Sequence, residues 1–230
     1  DLASLSIYGD DGLIETRHLL CPAPPPRLDA GSEHTVLLDQ QNRMWAWGSA
    51  PENRNYGSVE WPELVSTETL PSVTGFKAAG ANQLSSIAID VNGKLIYRGL
   101  LFTYSKEPDL RFVTTASGAE HHLALDNKGR IWAWGKNGSG QTGVNGDGNS
   151  FLRKPTLIKP ASFLGKKIIA IAAGNYHSLA LDDQGQLWGW GSNYSSHLGI
   201  LPNDHYSYIP WQIDISPLNG VRIKGISAGY

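Results

Sequence analysis

The residues best suited to acid–base or metal chemistry are seven histidines, and three of them recur on one pattern. His34, His121 and His177 each stand three residues after a glycine, Gly31, Gly118 and Gly174. Imidazole titrates near neutrality and is a common metal ligand, so a convergent set could be a base or a metal site. A histidine that recurs once per repeat is instead spread one to a unit, and is read as bonding a neighbouring backbone group. His122 and His197 break that register and are read as surface contact residues. Asp147 and Asp204 lack the acidic cluster that calcium needs. The glycine-rich run from Gly138 to Gly148 has no following Lys-Ser/Thr and no helix, so it is not a phosphate loop. A single cysteine, Cys21, excludes an internal disulfide framework and a cysteine-based zinc site. No nucleophile, base and orienter set emerges, so no catalytic residue, metal or cofactor is expected. Asn137-Gly-Ser139 and Asn193-Tyr-Ser195 match the glycosylation sequon but lie in a repeated loop.

Aromatic residues are the second class with chemical potential. Six of the eight tryptophans fall in three copies of one tetrapeptide, Trp45-Ala-Trp47-Gly48, Trp132-Ala-Trp134-Gly135 and Trp188-Gly-Trp190-Gly191. Locked to a repeat, these rings are read as packing between units. Trp61 and Trp211 lie outside the tetrapeptides, beside Pro62 and Pro210, and are candidates for an interface because exposed Trp often anchors one. Two stretches depart from the repeat, Ala50–Gly57 and Leu100–Glu107, and variable loops on a rigid scaffold carry specificity. Arg54, Tyr56, Phe102 and Tyr104 join Trp61, Trp211 and His197 as the expected partner-binding set.

The elements that must position these residues follow from the repeat. Read in register, Gly31–Asp39, Gly118–Asp126 and Gly174–Asp182 each lead into a polar turn, Asp39-Gln-Gln-Asn42, Asp126-Asn-Lys-Gly129 and Asp182-Asp-Gln-Gly185, and then into the Trp tetrapeptide. The last turn position always holds a residue that tolerates positive φ, which is the signature of a β-hairpin. A degenerate copy runs from Gly80 to Gly99, with Gln83 in the histidine position and Ile96 and Arg98 in place of the Trp pair. A further copy begins at Gly229, and Leu5–Gly9 resembles the tail of another. Asn/Gly loops follow two of the Trp tetrapeptides, then come stretches opened by Pro62, Pro155 and Pro210, and then a last strand such as Ile168–Ala173 or Val221–Ile226.

Repeat glycines 31, 80, 118, 174 and 229 are 49, 38, 56 and 55 residues apart. Four short strands in a period of roughly 40–50 residues is what a propeller blade requires. The chain is therefore expected to be all-β, one domain over residues 1–230, with about five four-stranded antiparallel blades in a truncated or incomplete ring. Composition agrees: 26 of the 230 residues are glycine, as tight turns demand, and no apolar run is long enough to span a bilayer. With 19 basic and 21 acidic residues the net charge is −2, so no direct nucleic-acid partner is expected. The N-terminal stretch has no signal-peptide pattern, which points to a cytoplasmic or nuclear address.

The Gly-x-x-His, Leu-Asp-x-x-Gly, Trp-x-Trp-Gly and Asn-x-x-Gly-Gln motifs resemble the repeat of the regulator of chromosome condensation family over about residues 26 to 230. The resemblance implies a propeller, most often of seven blades, and a protein partner. The founding member is a nucleotide exchange factor for the small GTPase Ran; relatives include ubiquitin ligases and bacterial effectors that act on host GTPases, which reach the host cytosol without a classical signal peptide. A protein-interaction propeller that binds a small GTPase or its regulators is thus the implied function, and guanine nucleotide exchange on a Ran-like GTPase the alternative. No segment here matches the wedge loop used for exchange in that family.

Overall fold

The computed structural model describes residues 2–9, 12–20, 27–31, 34–49, 59–66, 72–83, 85–97, 100–102, 107–144, 150–194, 196, 198–199 and 205–229, with backbone alone at 2–9, 12–20, 27, 59–60, 97 and 100–102. Among the described residues the elements are eighteen strands and two short 3-10 turns. A hairpin of β1 (Leu2–Gly9) and β2 (Gly12–Leu20) precedes four four-stranded antiparallel sheets. The first sheet is β3 (Arg27–Ala30), β4 (His34–Leu38), β5 (Met44–Gly48) and β6 (Val59–Leu64). The second is β7 (Phe76–Ala81), β8 (Ser86–Asp90), β9 (Leu95–Tyr97) and β10 (Leu100–Phe102). The third is β11 (Phe112–Ser117), β12 (His121–Asp126), β13 (Ile131–Lys136) and β14 (Phe151–Leu157). The fourth is β15 (Ile168–Ala173), β16 (His177–Asp182), β17 (Leu187–Ser192) and β18 (Tyr206–Gln212). Strand order follows the chain in every sheet, which is the up-and-down meander of a propeller blade.

The turn residues explain the hairpins. Asn42, Gly93, Gly129 and Gly185 all have left-handed φ, between 61° and 83°. The aspartate that opens each turn anchors it: Oδ1 of Asp126 accepts from the amides of Lys128 and Arg130, and Oδ1 of Asp182 from those of Gln184 and Gln186, all at 2.9 Å. Their Oδ2 atoms accept from the indoles of Trp132 and Trp188 at 3.0 Å, and Asp39 does the same for Trp45 at 2.9 Å. One carboxylate thus ties the turn to the first Trp of the tetrapeptide. At the buried Asp126 and Asp182, hydrogen bonds to a charged acceptor contribute about 1.5–3 kcal/mol each.

The strand that ends each sequence repeat belongs to the next sheet. β15 pairs with β16, not with β14, so repeat and blade are out of phase by one strand. The prolines lie inside the outer strands, Pro155 in β14 and Pro210 in β18, where the edge needs no donor. Val221–Gly229 forms no ladder among the described residues, unlike the strand expected over Val221–Ile226. Its end nevertheless takes an inner-strand position: Gly229 lines an axial depression of ≈ 490 Å³ together with Asp29, Gly31, Asn82, Ser117 and Gly174.

The sheets stack in chain order, each burying its Trp positions against the sheet before it. Trp188 and Trp190 lie in a core with Leu123, Leu125 and Ile131 of the third sheet, and Phe163 of the 3-10 turn Pro160–Phe163 meets both rings edge-on at 5.6 and 5.8 Å. Trp132 and Trp134 lie with Ile87, Ile89 and Leu95 of the second sheet. Ile96, the residue in the Trp position of the degenerate copy, packs with Leu38 and Met44 of the first. Trp45 and Trp47 are only half-buried, since no four-stranded sheet stands behind them among the described residues.

Candidate partner-binding face

Alternating strand direction gives the stack two ends. One carries the four Asp turns. The other carries the Gly-x-x-His corners and is the end from which the connections after the Trp tetrapeptides leave. Its base is rigid. At the corners, the amide of Gln83 donates to Ala119 O at 2.9 Å, that of Ala119 to Asn175 O at 3.3 Å and that of Asn175 to Gly229 O at 3.2 Å, which ties successive blades around the axis.

The histidines lie in the seams beneath that face. Nε2 of His34 shares a 2.9 Å hydrogen bond with Ser86 Oγ, from the first sheet to the second. His121 is fully buried and its Nε2 is 2.8 Å from Ser178 Oγ in the fourth sheet. Ser178 spends its proton on Gln141 O at 2.8 Å, so His121 Nε2 is the donor. Gln141 O also accepts from the Trp190 indole at 3.0 Å, so the Asn-x-x-Gly-Gln loop is a clasp on the next blade. Burial, with a smaller contribution from His177, lowers His121 to about 3, so it is neutral at ordinary pH. His177 is also buried.

His122 requires a correction. It is not a surface residue: 1% of it is exposed, and it reaches back to the second sheet. Nε2 accepts from Asn82 Nδ2 at 3.0 Å and lies 2.9 Å from Ser85 Oγ, while Nδ1 is 3.0 Å from Ser117 Oγ. The second sheet has Gln83 where its neighbours have histidine, and His122 supplies the seam from the other side. The sequons are likewise internal, for Asn137 and Asn193 are buried and their Oδ1 atoms accept from Thr142 and Leu198 amides at 3.1 Å.

Above this base, the fourth sheet carries an exposed aromatic row. Tyr194 stacks on His205 at 4.5 Å and 20°, meets Tyr206 edge-on at 5.1 Å, and Tyr206 lies 6.5 Å from Tyr208. Tyr194 is 59% and Tyr208 46% exposed. Their polar tips are committed: the Tyr206 hydroxyl donates to that of Tyr194 at 2.9 Å, and the Tyr208 hydroxyl to Gly138 O of the preceding blade's loop at 3.1 Å. The bond to Tyr194 raises the Tyr206 phenol above its usual range. Nearby, Lys136 pairs with Glu120 at 2.6 Å and lies 5.9 Å from the ring of Tyr176. No group of three or more His, Cys, Asp or Glu among the described residues could hold a metal.

Of the residues expected to bind a partner, Trp61 is 76% exposed on β6 and Trp211 51% exposed on β18, on the outer strands of the first and fourth sheets with two sheets between them. The structure does not bring those two together. Phe102 ends β10, where its backbone pairs with Leu95. Arg54, Tyr56, Tyr104 and His197 lie outside the described residues. Sequence reasoning passed over Tyr194, His205, Tyr206 and Tyr208. The available signal was three of nine tyrosines within fifteen positions.

Comparison with known proteins follows the same repeat. Two family models of the regulator of chromosome condensation (RCC1) repeat match residues 112–141 and 168–196, and 128–181 and 184–230. Together they span residues 112–230, just over half the chain. Protein RCC1 of Candida albicans is 37% identical over 128 residues, 50% of this chain and 27% of that protein. The human probable E3 ubiquitin-protein ligase HERC6 is 34% identical over 203 residues, 88% of this chain and 16% of that protein. Among solved structures, Prp20p from Saccharomyces cerevisiae, characterised for its binding properties to Gsp1p and histones, superposes with a TM-score of 0.70 at 16% identity, over 99% of this chain and 62% of that one. The chain spans less than two thirds of each of these proteins.

Proposed function

Because the chain belongs to the regulator of chromosome condensation repeat family, we propose that it is a non-catalytic propeller that binds a protein partner through the loop-bearing face, the partner being a small GTPase or one of its regulators, in the cytoplasm or nucleus. The observation that carries this is the exposed row Tyr194–His205–Tyr206–Tyr208, fixed by its own hydrogen bonds on a hydrogen-bonded base. Aromatic residues held in one conformation lose little entropy on binding and are the usual anchors of an interface. The GTPase class is supported by the founding family member's action on Ran and by the likeness to Prp20p, which is characterised for its binding to Gsp1p. Trp61 and Trp211 remain candidates for secondary contacts outside the row.

Binding to immobilised Ran and a panel of other small GTPases, each nucleotide-free, GDP-loaded and GTP-loaded, tests the reading. Binding is expected in at least one state, weakened about tenfold or more by Tyr208→Ala, which corresponds to about 1.4 kcal/mol. Absence of binding in every state, or equal binding by the variant, overturns it. Release of a fluorescent guanine nucleotide separates the two activities. A rate above the intrinsic one would make the protein an exchange factor, acting by tighter binding of the nucleotide-free partner.

A further inference from the structure

The axis of the stack carries a carboxylate that the blade repeat does not require. The depression of ≈ 490 Å³ among the corners shares Asp29, Ser117, Ala173 and Ala228 with a second one, of ≈ 360 Å³, lined by the inner strands. Among the described residues lining either, Asp29 is the one charged side chain. Counted in register from the corner, the same inner-strand position holds Gly80, Ala116 and Ala172 in the other sheets, which pair with Ile87, Leu123 and Leu179 as Asp29 pairs with Val36. Three blades therefore close without a carboxylate there. Asp29 is nonetheless held in place, Oδ1 accepting from the Ala30 amide and Oδ2 from the Ala81 amide, both at 3.0 Å. It makes no ion pair among the described residues, and burial holds its carboxyl above the usual range.

Across Gly80 stands a second oxygen. A β-carbon at Gly80 would lie 3.2 Å from Asp29 Oδ2 and 2.6 Å from Ser117 Oγ, so the two oxygens converge on a spot that glycine leaves open. Ser117 Oγ is 3.0 Å from His122 Nδ1, and because His122 Nε2 accepts from Asn82, Nδ1 carries the proton and donates to the hydroxyl. A lone pair remains on that hydroxyl, and another on Asp29 Oδ2. We propose that Asp29 and Ser117 form an axial binding site for a primary ammonium group on an unbranched stem, the ammonium donating to both oxygens and the stem lying along the small side chains of the channel. The carboxylate favours a cation, whose hydrogen bonds to it are charge-assisted. A metal ion is not that cation, since no group of three or more His, Cys, Asp or Glu among the described residues could hold one. The two acceptors stand on different side chains, which suits the three rotatable donors of an ammonium, whereas the planar fork of a guanidinium matches the two oxygens of one carboxylate. A free alkylamine and the lysine side chain of a protein partner present this same chemistry. The inference concerns the axis alone and holds whether or not the partner is a GTPase.

The test titrates the unmodified, isotopically labelled chain at neutral pH with n-butylammonium, n-butylguanidinium and n-butanol, and follows the NMR shifts of the Ala30, Ala81 and Ser117 amides. Saturable shifts are expected with n-butylammonium, at an affinity about tenfold or more above that of n-butanol, as a hydrogen bond to a charged acceptor implies, and above that of the guanidinium. Asp29→Asn, which keeps the shape and loses the charge, is expected to lower the affinity by about the same factor. Gly80→Ala is expected to abolish binding by filling the spot between the two oxygens. The comparison of the three probes uses the unmodified chain and so does not depend on any variant folding. Absence of saturable shifts, equal affinity for n-butanol, a preference for the guanidinium, or unchanged affinity in Asp29→Asn overturns the site. A Gly-Lys-Gly peptide blocked at both ends distinguishes the two sources: binding at least as tight as that of n-butylammonium assigns the site to a partner's lysine, and weaker binding assigns it to a free amine.

Discussion

At the scale of single residues, the spacing Gly-x-x-His is a packing device. The His121 ring folds back over Gly118, and on the other side of that glycine stands the carbonyl of Gly174 in the next blade. A β-carbon at Gly118 would collide with both, and the second is backbone that cannot rotate away. Gly138, in the loop above, has nothing within 4 Å of the same position. Urea denaturation should therefore show Gly118→Ala destabilised by about 1–3 kcal/mol through overpacking and Gly138→Ala within about 0.5 kcal/mol of the parent. A similar effect at the two sites would refute the close-approach account. The spacing was legible in the sequence, but its reason was not. Nothing in the order of residues says that the carbonyl of Gly174, fifty-six positions on, closes against Gly118.

At the scale of elements, the hairpins were legible because each is fixed by contacts within a few residues: an aspartate, two turn amides and a left-handed fourth position. The phase between repeat and blade was less so, since nothing local tells β15 to pair forward with β16. The connection from β14 to β15 also carries strain. Leu164, which ends the turn Pro160–Phe163, sits at φ 52° and is 70% exposed, so its side chain does little to offset a left-handed backbone. That conformation costs an L-residue about 1–2 kcal/mol. Leu164→Gly is expected to raise stability by about 0.5–1 kcal/mol, after the greater freedom of glycine in the unfolded chain is deducted. A rightward shift of the denaturation midpoint with unchanged slope would show it, and a leftward shift would mean that Leu164 is held by contacts the turn needs.

At the scale of the whole molecule, the seam between the third and fourth sheets encloses His121, and stability is expected to depend on pH through it. His121 takes up a proton only near pH 3 when folded and near 6.5 when free, so between those values the unfolded chain binds more protons. Its contribution is intact above about pH 6.5 and is lost as pH falls, at up to about 1.4 kcal/mol per pH unit. Glu107, held down to about 2 by hydrogen bonds from Arg130 and Lys128, contributes above its ordinary value of 4.5 and is lost below it. Denaturation measured from pH 8 to pH 5 should thus give a plateau followed by a decline beginning near 6.5; a curve level to pH 5 would place His121 elsewhere than in the seam. The sequence by itself determined the repeat, the hairpins and the sheet-forming strands, because turn chemistry and alternation act between near neighbours. Only the tertiary structure decided that His122 lies in a seam, that Trp134 and Trp190 are enclosed while Trp45 and Trp47 stay half-open, and that Tyr194 meets His205 and Tyr206 across a loop. Burial and convergence depend on which surface each sheet stacks against and how each loop folds back, and these are set by contacts between residues far apart in the chain.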